Sequence, residues 1–126
     1  MNPIPRTAHR IDVAPSADEV RVLANGETIA ATRRALLLSE TGLPVRYYIP
    51  AEDIRMELLT PSPTSTFCRY KGSASYWSLR IGDHVVADVA WAYMDPLPER
   101  ADIKGHLCFY PEKVDRIEVA ERLSAR

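Results

Sequence analysis

Apolar positions along this chain alternate over short stretches and rarely hold a helical spacing. Residues 20–24 and 28–30 are apolar-rich and flank Asn25-Gly26. That dipeptide predicts a tight hairpin, because a type I′ turn needs positive φ at both central residues. The apolar run at 35–38 fits a strand or a short turn of helix, and 45–49 reads as a strand after the turn Thr41-Gly42-Leu43-Pro44. Residues 51–59 carry the one helical signal. Pro50 near its start costs no helical hydrogen bond, Glu52 and Asp53 suit the positive end of a helix dipole, and Ile54, Leu58 and Leu59 supply an apolar stripe. Thr60-Pro61-Ser62-Pro63 ends the segment.

The second half reads as strands at 67–70, 74–81, 84–93, 106–110 and 114–119. Lys71-Gly72 is a turn or bulge, Gly82-Asp83 suits a II′ turn with glycine first, and 95–99 is a loop. About eight short strands and one short α-helix predict a mainly β protein, either a small antiparallel barrel or a two-sheet sandwich. Residues 1–18, with Pro3, Pro5 and Pro15, read as an irregular N-terminal arm, 19–120 as a single mainly β domain, and 121–126 as a C-terminal tail.

A two-residue turn at Gly82-Asp83 places Trp77, Leu79 and Ile81 opposite Asp88, Val86 and His84. The other face then carries Ala74, Tyr76, Ser78 and Arg80 opposite Trp91, Val89, Ala87 and Val85. Both faces are apolar-rich, so the hairpin is expected to be covered on both sides. One side would be core. The other would line a cavity built from Tyr76, Trp91 and Tyr93, or pack these aromatics beneath the helix and the arm.

The formal net charge of −1 gives no bulk attraction to nucleic acid or anionic lipid, and no stretch approaches a membrane span. Neither nucleic acid nor membrane is therefore expected as a partner, although Arg69, Tyr70, Lys71, Tyr76 and Arg80 interleave basic and aromatic residues. Two cysteines and no apolar leader run in the first residues predict a reducing, cytoplasmic location with free thiols.

Candidate chemistry centres on Cys68-Arg69-Tyr70-Lys71-Gly72-Ser73-Ala74-Ser75-Tyr76-Trp77, which holds one of the chain's few lysines beside a glycine. A lysine among aromatics suits an anionic or planar ligand. The ligand-binding candidates are Glu40, Tyr48, Lys71, Tyr76, Trp91 and Tyr93, with Cys68, Arg69 and Asp88 as secondary candidates. The ordinary alternative for each is a solvated charge or a core aromatic. Cys68, His84, His106 and Cys108 lack the Cys-x-x-Cys spacing of a metal site, and none is assigned. A Cys68–His84–Asp88 nucleophile arrangement would draw on separate strands. Catalytic residues and cofactors stay unassigned.

The segments Pro61-Ser62, 66–78, 90–99 and 105–111 carry a pattern that includes Cys-x-Tyr-Lys-Gly-x-Ala-Ser-Tyr-Trp and Asp-Pro-Leu-Pro-Glu. Over about residues 20–120 the chain resembles a bacterial and fungal family of uncharacterised domains sometimes labelled nucleotidyltransferase-like. The resemblance implies a small, single, mainly β domain. The sequence holds five glycines and no Gly-x-x-x-x-Gly-Lys-Ser/Thr loop, so nucleotidyl transfer is not the expected chemistry. Two functions remain open. One is binding, with or without a modest transformation, of a small polar or anionic metabolite in a Lys/aromatic pocket. The other is a non-catalytic interaction or homodimerisation module that uses an edge strand such as 20–24 or 114–119.

Overall fold

The structure is a computed structural model, described here for residues 9–121. It is an antiparallel, two-sheet, sandwich-like β fold rather than a closed barrel. The strands are β1 (Ile11–Pro15), β2 (Glu19–Ala24), β3 (Glu27–Thr32), β4 (Leu36–Glu40), β5 (Arg46–Pro50), β6 (Leu59–Cys68), β7 (Gly72–Ile81), β8 (His84–Pro96), β9 (His106–Phe109) and β10 (Arg116–Ala120). Seven of them form one sheet in the order β1-β4-β5-β9-β8-β7-β6, and β10-β2-β3 form the other.

The larger sheet is apolar on both faces. Ile49, Leu79, Ala90, Ala92, Leu107 and Phe109 pack against Val20, Val22 and Ile29 of the smaller sheet. Their neighbours one residue away point the other way, where Leu38, Tyr48, Ala74, Trp91, Tyr93 and Cys108 gather with Ile103 in a second cluster. Along β5, β8 and β9 the side chains thus alternate between core and second cluster. Among the described residues no helix is long and apolar enough to cross a membrane.

Several local expectations change. The hairpin at Asn25-Gly26 is present, with φ of 50° and 78° at the two residues. Residues 11–15, expected within an irregular arm, form β1 and pair with β4, while 1–8 and 122–126 lie outside the described residues. The helical stretch at 51–59 takes the form of two 3-10 turns, Ala51–Asp53 and Met56–Leu58. Between them Ile54 is extended and bridges Ala30, and the Arg55 N–H donates to the Ile29 carbonyl at 2.8 Å. The open edge of β3 claims the middle of the segment and outweighs its helical spacing. Pro61 and Pro63, expected to end a helix, lie inside β6 at the sheet edge, where a missing N–H leaves no ladder partner unsatisfied. β2 is central in its sheet, so 20–24 is not a free edge; among the described residues β10 is one.

The β7–β8 register follows expectation from the turn as far as Leu79↔Val86 and then shifts. Asp88 takes a φ of 50°, and its N–H donates to the Ser78 Oγ at 3.1 Å. Asp tolerates this left-handed conformation better than most residues, and the bulge makes Trp77 face Ala90 and Tyr76 face Trp91, rather than Asp88 and Val89.

Candidate binding pocket

The larger sheet curls until the end of β4 meets the turn between β6 and β7, although the intervening order is β5-β9-β8. At that meeting point the Lys71 Nζ donates to the Glu40 Oε1 at 2.7 Å, with 9% and 7% of the two side chains exposed. The other Glu40 oxygen lies 3.0 Å from the His9 Nε2, and the His9 ring stacks on Tyr70 at 3.9 Å. Lys71 also donates to the Cys68 Sγ at 3.7 Å and sits 5.9 Å above the Tyr93 ring. Burial works against the Glu40 carboxylate, but hydrogen bonds from Lys71 and His9 outweigh it, so its pKa lies below the usual 4.5.

The backbone fixes the lysine. Its N–H donates to the Cys68 carbonyl at 3.2 Å, and its carbonyl accepts from Leu97 N–H at 2.9 Å. Gly72 follows with a φ of 116°, and a Cβ there would lie 3.2 Å from the Leu97 nitrogen. Only glycine lets the turn press this closely onto the end of β8.

Aromatic side chains from four strands or strand ends stand beside this ion pair. The Trp91 Nε1 donates to the Tyr48 Oη at 3.2 Å, and Tyr110 packs on Trp91 with ring centroids 4.4 Å apart. The Tyr76 Oη is 2.9 Å from the Thr66 Oγ1. Burial raises the Tyr48 and Tyr93 phenols well above the ordinary value. Burial, then a hydrogen bond with Tyr76, pushes the Tyr110 phenol up to about 12. These phenols stay protonated near neutral pH and can both donate and accept.

The space between them is a cavity of about 220 Å³. Glu40, Tyr48, Lys71, Tyr76, Trp91 and Tyr93 all line it, with Leu43 and Pro44 at an exposed rim. The secondary candidates fall elsewhere. Cys68 lies beside the Lys71 ammonium, Arg69 is exposed with its guanidinium 5.3 Å from the Tyr70 ring centroid, and Asp88 accepts from Thr64 Oγ1 at 2.7 Å on the bulge. His84 is exposed beside its turn, so Cys68, His84 and Asp88 form no nucleophile arrangement. Cys108 is buried in the second cluster, and burial pushes its thiol up to about 12. Among the described residues no three His, Cys, Asp or Glu side chains gather in a way that could hold a metal ion.

Two lining residues with polar groups to offer escaped the sequence reading. Tyr110 follows β9, and Arg46 opens β5. Arg46 sits two residues before Tyr48, on the same strand face, and that period-two spacing was the available signal. Its guanidinium carbon lies 5.2 Å from the Trp91 ring centroid.

A family model for a domain of unknown function, DUF427, matches residues 12–120. The chain belongs to the DUF427 family. The DUF427 match runs from β1 to the last residue of β10, so both sheets lie within it. Every lining residue of the cavity falls inside the DUF427 domain, whereas His9 lies just before it. No curated protein matches the chain.

Proposed function

We propose that this DUF427 domain binds a small polar or anionic metabolite in the cavity walled by Tyr48, Tyr76, Trp91 and Tyr93. One observation carries the reading: a buried Lys71–Glu40 pair, 31 residues apart in sequence, stands at the wall of an aromatic cavity instead of at the surface. Buried ion pairs are a weak source of stability, so placing one beside a cavity favours a role toward something bound there. The volume of about 220 Å³ is under the ~300–1,000 Å³ of drug-sized sites. It suits a compact metabolite and is too small to enclose a nucleoside triphosphate, which weighs against nucleotidyl transfer.

A thermal-shift screen against small metabolites tests this. A ligand present at about 100 times its dissociation constant adds roughly 2.7 kcal/mol. The expected result is a hit that Trp91→Phe weakens. Hits unaffected by Trp91→Phe and Tyr76→Phe would overturn the pocket reading.

A second reading, self-association, is supported by a separate apolar cleft of about 250 Å³ beside the free edge of β10. Val20, Val22, Phe109 and Ile117 line it, and Val45 and Val119 expose 51% and 42% of their surface at its side. Light scattering that gives a dimer mass, abolished by Val119→Lys, would favour this reading.

A further inference from the structure

We infer that the group recognised in the pocket is the carboxylate of a small planar monoanion, and that Arg46 holds it. This rests on the reading of the cavity as a binding site. Lys71 is the cation that sequence reasoning selects, but its charge is already engaged by Glu40 at 2.7 Å. A second anion at Lys71 would be repelled by that carboxylate at close range.

Arg46 differs. It lines the same cavity and is half-buried, and among the described residues no carboxylate or hydrogen-bond acceptor engages its guanidinium. Its guanidinium lies over the Trp91 face, a contact that orients the fork without using an N–H. Among the described residues nothing takes up the guanidinium N–H donors, which leaves them to a ligand. A planar guanidinium that presents paired N–H groups matches a carboxylate in a bidentate geometry.

Charge sets the ligand's valence. Among the described residues, the side chains on the cavity wall that carry formal charge are Glu40, Lys71 and Arg46, a net of one positive charge. One negative charge neutralises it, whereas a phosphate dianion would leave an excess beside Glu40. The body of the ligand is set by the walls. Trp91, Tyr110 and Tyr76 offer ring faces and phenols that stack a flat molecule and hydrogen-bond its edge. At about 30 Å³ per water the space holds about seven waters, room for a single ring with a carboxylate.

The test is a titration of the full chain with benzoate, benzamide and phenyl phosphate, followed by NMR of the Trp91 and Tyr110 rings and of the arginine Nε–H signals. The expected result is saturable binding of benzoate that shifts the Arg46 signal. Benzamide and phenyl phosphate should each bind about tenfold or more weakly, and Arg46→Gln should weaken benzoate by a similar factor, with Arg46→Lys recovering part of the loss. Should Arg46→Gln fail to fold, the Arg46 signal in the unaltered chain still decides. Equal binding of benzoate and benzamide, tighter binding of phenyl phosphate, or an unmoved Arg46 signal overturns the inference. If the three probes leave Trp91 unmoved while a neutral metabolite shifts it, the pocket stands and the carboxylate falls. If no compound shifts Trp91, both fall.

Discussion

Glu40 carries the largest local consequence for stability. It is held by Lys71 and His9, with 7% of its side chain exposed. Glu40→Gln leaves the Lys71 ammonium buried without its counter-charge, and breaking such a pair costs about 3–5 kcal/mol. Replacing both partners by apolar residues, as Glu40→Leu with Lys71→Met, should recover most of that loss, because a matched apolar replacement removes the buried charge as well. Urea unfolding of the two variants checks the difference. The pH dependence follows from the direction of the Glu40 shift. Its folded pKa lies below the unfolded value, so its contribution is complete above about 4.5 and is lost as pH falls through the folded pKa. Thermal melts between pH 7 and pH 3 should show this acid-side loss, and Glu40→Gln should flatten it. At the neighbouring turn, Gly72→Ala forces a Cβ into a φ of 116° and against the Leu97 nitrogen. A loss of about 1–3 kcal/mol is expected in the same unfolding assay.

Elements whose geometry is set by their own residues were legible in the sequence, and elements set by a distant neighbour were not. Asn25-Gly26 announces its hairpin because the turn itself requires positive φ. Asn25→Val should therefore cost about 1–2 kcal/mol in thermal unfolding, and Asn25→Gly far less. The segment at 51–59 misled because its apolar spacing is real, while the bridge from Ile54 to Ala30 is invisible in one dimension. β1 was hidden by Pro15 at its end and by a partner, β4, that lies well along the chain. In the β7–β8 hairpin the turn was readable, but the bulge depends on Asp88 finding the Ser78 hydroxyl across the strand. Ser78→Ala leaves that N–H short of an acceptor, with an expected cost of about 1–3 kcal/mol by urea unfolding. Tyr76, Trp91 and Tyr93 were readable because aromatic residues alternate with small ones along β7 and β8, and Lys71 because it stands beside a glycine among them. Arg46 was passed over because one arginine in a strand reads as an ordinary solvent-facing charge.

Across the whole molecule, the two sheets share the labour unevenly. The face between them is filled by aliphatic side chains and Phe109, and it supplies cohesion. The opposite face of the larger sheet carries Tyr48, Tyr76, Trp91, Tyr93 and the ion pair, and it lines the cavity. Of the larger sheet's two edges, β6 carries Pro61 and Pro63, which cannot donate to a further strand. The curl has a kinetic corollary. Glu40 and Lys71 belong to opposite flanks of the strand order, so no hairpin or half-sheet can assemble the recess on its own. Closure must wait for long-range pairing, which is the slow part of building such topologies. Under the proposed function, a ligand in the recess would fasten the two flanks together. Its release should therefore report on the opening of the entire sheet, and amide exchange in β4 and β7 should slow in concert when it is filled.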